Sequence, residues 1–205
     1  MPAPKGTAKL AGEVAPGVHR FTMHDNRIES ESDCYVIVAN GRIVLIDPLP
    51  MDSQDLKKLG EVEAICLTAS CHERAASRYR RTFKVPVYAP KGAIDFDSQP
   101  SRRYRLRDRL PGGLQPVHSP GPTDAHYSFF LRRKGGVVFC ADLLTNYKGR
   151  ELAFVADEYQ DDPKLTRRSV RRLLDLSFKV LCPNHGGPVK TGAKKAIRQA
   201  LAEDA

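Results

Sequence analysis

Runs of β-branched and aromatic residues, interrupted by glycine-containing turns, occur twice along the chain. In the first half, Tyr35–Ala39 and Arg42–Asp47 are joined by an Asn-Gly pair. In the second half, Tyr127–Leu131 and Val137–Asp142 are separated by a short loop with two adjacent glycines. Glycine turns between apolar runs of this kind are typical of β-hairpins. The pattern therefore predicts two hairpins, each ending in an aspartate.

Each predicted hairpin is followed by a helix and then by a short apolar run that leads into a polar loop. The helices are predicted at 53–59 and from Pro163, where Asp162 is the expected N-cap. The other predicted elements are the strands Ala64–Thr68, Val85–Ala89 and Lys179–Cys182 and the helices 73–84 and 193–201.

This repeat of hairpin, helix and strand predicts an α/β protein in which two sheets pack face to face between helical layers, a four-layer αββα sandwich. We expect one domain over residues 1–205, with tails at about 1–12 and 203–205. We also expect the loops at one end of the sandwich to bring together Asp47, residues 69–74, residues 119–126, Asp142 and His185.

The sequence has an excess of basic over acidic residues, and most of this excess lies in one stretch. The 205 residues contain 33 Lys and Arg against 24 Asp and Glu, a formal charge of +9. Between Arg74 and Arg109 there are eleven basic and three acidic residues, which gives 11 − 3 = +8. Such a segment is typical of a solvated basic face, of a site for an anionic substrate, or of a nucleic-acid surface.

The apolar runs and cysteines limit the cellular setting. No run approaches the roughly 20 apolar residues that a membrane-spanning helix needs, and the N-terminus lacks the apolar core of a signal peptide. The five cysteines are odd in number and form no Cys-x-x-Cys pair, which argues against a disulfide framework and a zinc ribbon. We therefore expect a basic cytoplasmic protein that has no membrane partner.

Six short segments occur in a fixed order between about residues 17 and 189. They are Val44–Asp47, Ile65–Thr68, Pro86–Ala89, His118–Thr123, Val138–Asp142 and Cys182–Val189. Together they resemble the metallo-β-lactamase superfamily, whose fold is the same αββα sandwich. The resemblance implies a metallo-hydrolase-like protein with its site at the loop end.

The resemblance also implies that most of the metal ligands of that family are replaced here. Its hydrolases carry His-x-His-x-Asp-His after the Leu-Thr strand, whereas this chain has Ala69–Arg74, with the sequence Ala-Ser-Cys-His-Glu-Arg. Pro122 stands where a later histidine ligand is expected, and only Asp142 and His185 are unchanged. Asp47 matches a position that, in this family, supports the site through hydrogen bonds and does not bind metal.

Two interpretations of the altered motif stay open. In a rearranged site, zinc or iron would be held by ligand-capable side chains, namely Cys71, His72, Glu73, Asp142 and His185. In a degenerate site, no metal cofactor is bound and Arg74 forms an ion pair with Glu73 or Asp142 in place of the metal charge. His118 and His126 flank the Pro-Gly-Pro-Thr loop. His118 is a further candidate for the pocket, where either histidine could contact the substrate or the site residues, but the favoured placement of both is at the surface or at a strand edge.

Three functions follow from these interpretations. The favoured one is a metallo-β-lactamase-fold homologue that binds metal weakly or not at all and takes a small anionic ligand. The alternative is an active metal-dependent hydrolase of esters or thioesters, with the arginine-rich segment steering its substrate. The least favoured is nucleic-acid binding by Arg102–Arg109 with Tyr104 between the arginines, because 205 residues leave no room for the second domain of the family's nucleases. Catalytic residues, substrate and oligomeric state are not assigned.

Overall fold

A computed structural model describes residues 3–147 and 151–204 of the chain. Its larger sheet has seven strands that lie side by side in sequence order. Strands β1 to β4 are antiparallel to their neighbours, and β4 to β7 are parallel. The strands are β1 (Lys9–Ala15), β2 (Val18–Asp25), β3 (Ser30–Ala39), β4 (Arg42–Ile46), β5 (Glu61–Cys66), β6 (Val87–Pro90) and β7 (Arg102–Tyr104).

The second sheet has four strands in the order β13-β10-β9-β8, with β10 and β13 parallel. Its strands are β8 (Leu114–His118), β9 (Tyr127–Leu131), β10 (Val137–Ala141) and β13 (Val180–Pro183). A separate two-stranded ribbon pairs β11 (Leu144–Thr145) with β12 (Ala153–Phe154).

Four helices cover the outer faces of the two sheets. They are α1 (Ser53–Leu59), α2 (Ala76–Phe83), α3 (Pro163–Leu173) and α4 (Ala193–Glu203). Asp162 is the predicted N-cap of α3, and its side chain accepts a hydrogen bond from the backbone N–H of Leu165. Turn chemistry and helical periodicity along the chain are therefore sufficient to place these elements.

Three apolar clusters give the order of the layers. One packs α1 and α2 against the outer face of the large sheet, through Leu56 and Tyr79 among others. A second lies between the sheets and includes Tyr35 and Phe139. The third packs α3 and α4 on the small sheet, with Ile197 at its centre. The αββα sandwich expected from the sequence is therefore confirmed.

The carboxyl ends of four strands meet at one end of the sandwich. Strands β4 and β5 run in the same direction, as do β10 and β13. The residues that follow them are Asp47, Thr68, Asp142 and Asn184. Carboxyl ends of parallel strands share one edge of a sheet, so these polar side chains are brought together.

The two halves are less alike than the sequence repeat suggests. The large sheet gains the N-terminal hairpin β1–β2 and the edge strand β7, so the sheets have seven and four strands. Strand β1 begins at Lys9, inside the stretch that was expected to be a tail, because its backbone pairs with β2. Residues 1, 2 and 205 of the expected tails lie outside the described part of the chain. No helix among the described residues combines the length and apolarity needed to cross a membrane.

Candidate functional site

Asp47 is the buried anchor of the loop end. It follows β4 with a φ of +47°, a left-handed conformation that is uncommon outside glycine. Its carboxylate accepts hydrogen bonds from the Thr68 backbone N–H at 2.8 Å, from the Thr68 hydroxyl at 2.6 Å and from the Asn184 amide at 2.9 Å. Although burial opposes ionisation, the charge and hydrogen bond of His72 lower the pKa of Asp47. Asp47 is therefore ionised and connects the ends of β4, β5 and β13.

His72 lies between two carboxylates. Its Nδ1 is 2.7 Å from the Thr68 hydroxyl oxygen and 3.3 Å from Asp47 Oδ2. Its Nε2 is 2.9 Å from Oδ2 of Asp142. The residue closes a 3-10 turn over Ser70–His72 and is 3% exposed. The turn therefore places the imidazole inside the site.

The donors and acceptors around His72 assign a proton to each ring nitrogen. The Asp47 carboxylate accepts from the Thr68 backbone N–H and the Asn184 amide and lies near the charge of Arg74. It is therefore ionised, and the single proton of the Thr68 hydroxyl is donated to it. Nδ1 of His72 then has to donate to Thr68, and Nε2 has to donate to the Asp142 carboxylate. Burial disfavours a charged ring, yet the nearby charge of Asp142, with those of Cys71 and Asp47, raises the pKa of His72 well above its ordinary value. His72 is therefore an imidazolium held between Asp47 and Asp142.

Asp142 is the second carboxylate of the site. It follows Ala141, whose φ of +48° turns the chain sharply at the end of β10. Burial opposes its ionisation, but the positive charge of His72 and the hydrogen bond from His72 hold the pKa of Asp142 well below its usual range. Its Oδ1 is buried and lies 3.5 Å from Nε2 of His185. One oxygen of Asp142 is thus committed to His72, while the other faces His185.

The loop after β13 holds His185 in place. Its Nδ1 donates to the backbone carbonyl of Glu31 at 2.8 Å, so Nε2 is directed to Asp142. A side chain at Gly186 would lie 2.4 Å from the backbone of Asn146, and the residue has a φ of +85°. The backbone N–H of Gly187 donates to Asp33, whose other oxygen accepts from Arg20 at 2.7 Å. The glycines therefore allow the close approach that positions His185.

Arg74 does not take the role expected from the sequence. It is buried, with a φ of +42°, and its Nη1 donates to the backbone carbonyls of Asp33 and Asp47 at 2.8 and 3.1 Å. The left-handed backbone turns this side chain beneath the site, where it ties β3 to the end of β4. The expected ion pair with Glu73 or Asp142 is therefore wrong, and the cation beside Asp142 is His72.

Glu73 is also directed away from the site. Its carboxylate accepts from the backbone N–H groups of Asp97 and Ser98 at 2.7 and 3.0 Å and from the Ser77 hydroxyl at 2.6 Å. These bonds occupy both oxygens and fasten the 97–98 loop to the start of α2. Glu73 thus supports a loop and does not reach the cluster around Asp142.

The two histidines beside the Pro-Gly-Pro-Thr loop differ from each other. His118 is partly exposed, contacts the carbonyl of Asp124 and packs on Tyr127, so it lies outside the cluster. His126 is completely buried, so its expected surface placement is wrong. Its Nδ1 is 2.8 Å from the Ser119 carbonyl, and burial lowers the pKa of His126 to about 4. His126 is therefore a neutral core residue.

The two-metal centre that the fold family implies does not fit these side chains. Ala69 and Pro122 have no ligand atoms, Glu73 is committed to backbone N–H groups, and Arg74 is a cation. A single ion is a different case. In residues 3–147 and 151–204, one group of potential ligands converges, formed by Cys71, His72 and Asp142, whose ligand atoms all lie within 4.8 Å of one another. That set suits zinc if His72 gives up its Nε2 proton.

An open cleft of about 360 Å³ adjoins Asp142 and His185. Its walls come from the β2–β3 turn, the segment after β11 and the segment after β12. The Ser30 hydroxyl donates to the hydroxyl of Tyr147 at 2.8 Å, which leaves the phenol proton of Tyr147 to be donated elsewhere. The other lining residues are Arg27, Ile28, Thr145, Val155 and Tyr159.

The arginine-rich segment lies elsewhere. None of the residues that line the cleft comes from 74–109. Arg102 and Arg103 are exposed on β7, the edge strand of the large sheet, where charged side chains discourage pairing with another chain. Tyr104 is buried and donates to the Leu67 carbonyl, so it offers no surface on which a base could stack.

Several site residues were not identified from the sequence. The sequence patterns indicate no role for Thr68 or Asn184, although Thr68 lies two residues after β5 and Asn184 directly follows β13. The residues of the cleft walls are far apart in the chain and share no spacing. The polar positions at strand ends could have indicated Thr68 and Asn184, but nothing local marks Ile28, Tyr147 or Tyr159.

The comparisons with known proteins agree with this architecture. No protein-family model matches the chain, and no curated protein matches it. The crystal structure of the DIM-1 metallo-β-lactamase superposes with a TM-score of 0.77 at 14% identity, covering 98% of this chain and 99% of that one. An archaeal metallo-β-lactamase superfamily protein from Sulfolobus tokodaii gives 0.71 at 16% identity, over 91% and 85% of the two chains. A metallo-β-lactamase family protein from Thermus thermophilus gives 0.70 at 17%, over 94% and 81%. The chain therefore has the metallo-β-lactamase fold.

Proposed function

We propose that this chain is a metallo-β-lactamase-fold binding protein in which the imidazolium of His72 supplies the positive charge of the site, and that its cleft takes a small anionic molecule. One observation carries the proposal. The nearest partner of each ring nitrogen of His72 is a group that can accept a proton, Thr68 at 2.7 Å and Asp142 at 2.9 Å, whereas the Asn184 amide nitrogen is farther from Nδ1, at 3.4 Å. A proton thus lies between Nε2 of His72 and the Asp142 carboxylate. A metal ion bound at this point would need the lone pair of Nε2, which the proton occupies.

The two acidic residues at or beside the cleft each contact a basic side chain. Asp142 shares the charge of His72 with Asp47, and Asp25 is bonded by the Arg27 guanidinium at 2.9 and 2.6 Å. These contacts reduce the repulsion that a bound anion would meet. The phenol proton of Tyr147 is available to an anionic oxygen, since its own oxygen already accepts from Ser30.

The metal part of the proposal is tested by metal analysis joined to nitrogen NMR. Protein expressed with zinc, iron and manganese and purified without chelators is dialysed, and its metal content is measured. We expect far less than one equivalent, and ¹⁵N–¹H spectra in which both ring nitrogens of His72 carry protons at pH 7. Near-stoichiometric metal, together with an unprotonated Nε2, would overturn the proposal.

A second candidate function rests on the cluster of Cys71, His72 and Asp142, whose ligand atoms lie within 4.8 Å of one another. These three residues would hold a single ion, and His185 adjoins Asp142. A bound zinc or iron ion would supply Lewis-acid activation of water for ester or thioester hydrolysis. This candidate predicts that Cys71→Ala lowers the metal content, whereas the imidazolium site predicts no metal change in that variant.

Anion binding is tested separately by titration with acetate and with inorganic phosphate, followed by ¹⁵N–¹H shifts of the backbone. We expect saturable shifts at Ser30, Tyr147 and His185, and their loss in Tyr147→Phe, which lacks the phenol proton. Phosphate and acetate that move no signals near the cleft would count against an anionic ligand.

A further inference from the structure

The mouth of the cleft is apolar although its floor is polar. Among the described residues, five large apolar side chains are exposed, and two of them, Ile28 and Tyr159, line this cleft. They are 46% and 73% exposed. Val155 continues the apolar wall inward. Exposed apolar side chains gathered at a cleft, in place of being scattered, are typical of a binding site.

Hydrogen bonds hold the apolar walls in position. The turn that carries Ile28 is closed by its backbone N–H donating to the Asp25 carbonyl at 3.1 Å and by the Arg27–Asp25 pair. Tyr159 ends a 3-10 turn whose last N–H donates to the Ala156 carbonyl. The side chain of Gln160 donates to the Val155 carbonyl. The backbone turns that carry Ile28 and Tyr159 are therefore held by hydrogen bonds within the fold.

The size of the cleft separates two classes of anion. A volume of about 360 Å³ lies in the range of sites for drug-sized organic molecules, roughly 300–1,000 Å³. A bare inorganic anion would leave Ile28 and Tyr159 in water and would use only the floor. An organic anion with a ring or branched aliphatic body would contact both walls while its charged end reaches the phenol proton of Tyr147.

From these observations we infer that the ligand is an amphipathic organic anion, whose apolar body packs between Ile28 and Tyr159. This inference rests on the proposed binding function of the same cleft and specifies its ligand class. Because apolar burial is worth about 25 cal/mol per Å², a ring that covers the wall side chains should tighten binding about ten-fold or more over acetate.

The test compares three probes on the full chain by NMR titration: acetate, benzoate and the uncharged benzamide. We expect benzoate to bind at least about ten-fold more tightly than acetate, with the largest shifts at Ile28 and Tyr159. Ile28→Ala and Tyr159→Ala should bring benzoate down to the affinity of acetate. Ile94→Ala is the matched control, because Ile94 is 69% exposed and does not line the cleft.

The outcomes separate this inference from the proposed function. Equal affinity for acetate and benzoate, or loss of the benzoate preference in Ile94→Ala alone, overturns the amphipathic ligand while anion binding stands. Benzamide that binds as tightly as benzoate supports the apolar contact and contradicts the anionic ligand. Absence of binding by all three probes at the cleft overturns both.

Discussion

His72 has the most constrained chemistry of any residue in the site. Its ring is 3% exposed and contacts Thr68, Asp47 and Asp142 at once. Two carboxylates buried near each other would repel, and one would take up a proton, unless a cation lay between them. The imidazolium reduces that repulsion, and for Asp47 the charge of Arg74 and the hydrogen bond of Asn184 add to its effect.

We predict that His72→Gln destabilises the protein at pH 7 by about 3–5 kcal/mol, because the buried carboxylates lose their cation. In the parent protein, the raised pKa of His72 adds stability that is complete below the ordinary value of 6.5 and is lost as the pH rises through the folded value. Urea unfolding over a range of pH should show this alkaline loss in the parent but not in the variant. His24→Gln, at a histidine whose side chain is 56% exposed, is the control and should unfold like the parent.

His126 gives a prediction of opposite sign. Its pKa falls from 6.5 in the unfolded chain to about 4 in the fold, chiefly through burial. The unfolded state therefore takes up a proton first, and stability falls by about 3 kcal/mol as the pH decreases from 6.5 to 4. His126→Asn keeps a donor for the Ser119 carbonyl and should flatten this acid loss in urea unfolding. An unchanged slope, or the same flattening in the partly exposed His118→Asn, would contradict the assignment.

At the scale of the elements, sharp backbone turns position the side chains of the site. Asp47 and Ala141 both have a φ near +48° at the ends of β4 and β10, and Arg74 has a φ of +42° after the turn that carries His72. Each left-handed residue costs about 1–2 kcal/mol relative to the ordinary backbone. Hydrogen bonds of Asp47 and Arg74 hold two of these turns, which is why the strain is tolerated here.

The loop after β13 can be tested through its glycines. We predict that Gly186→Ala costs about 2 kcal/mol or more, because a Cβ would lie 2.4 Å from the Asn146 backbone and the φ is +85°. The backbone movement that relieves this clash should also displace His185 and weaken the binding of benzoate at the cleft. Gly192→Ala is the control, since it has a similar φ of +67° but no atom within 4 Å of the added Cβ. Equal effects on stability would show that crowding at Gly186 is unimportant.

Across the whole molecule, the two sheets are joined by a buried polar contact as well as by apolar packing. The Tyr35 hydroxyl, on β3, donates to the carbonyl of Pro183, on β13, at 2.7 Å. Its ring packs on Phe139 of the small sheet with a centroid distance of 5.3 Å. This contact lies just behind Asn184 and His185, so it sets the separation of the sheets where the site is formed.

We predict that Tyr35→Phe lowers the free energy of unfolding by about 1–3 kcal/mol, because the Pro183 carbonyl loses its donor in a buried position. The benzoate affinity should fall as well, since the β13 loop is then less firmly held. Tyr159→Phe, at an exposed ring, is the stability control and should unfold like the parent. Calorimetry or urea unfolding measures the stability of both variants, and NMR titration measures the benzoate affinity.

Local chemistry along the chain is sufficient to predict several elements of the fold. Turn glycines, runs of β-branched and aromatic residues and the Asp162-Pro163 cap predict both hairpins and the helix α3, since these signals act within a few residues. The order of hairpin, helix and strand was also sufficient for the αββα layers, because parallel strands need covered faces. One end of the sandwich is predicted to contain Asp47, Asp142 and His185, because each lies at or just after the end of a predicted strand.

The identity of the side chains that meet at this end depends on how the two sheets pack. His72 and Arg74 are two residues apart, and nothing local shows that one enters the site while the other turns below it. Burial and the left-handed φ of Arg74 settle that orientation. The apolar walls likewise come from separate segments, at Ile28 and Tyr159. Contacts between such distant residues depend on how the two sheets pack, and no spacing along the chain encodes that packing.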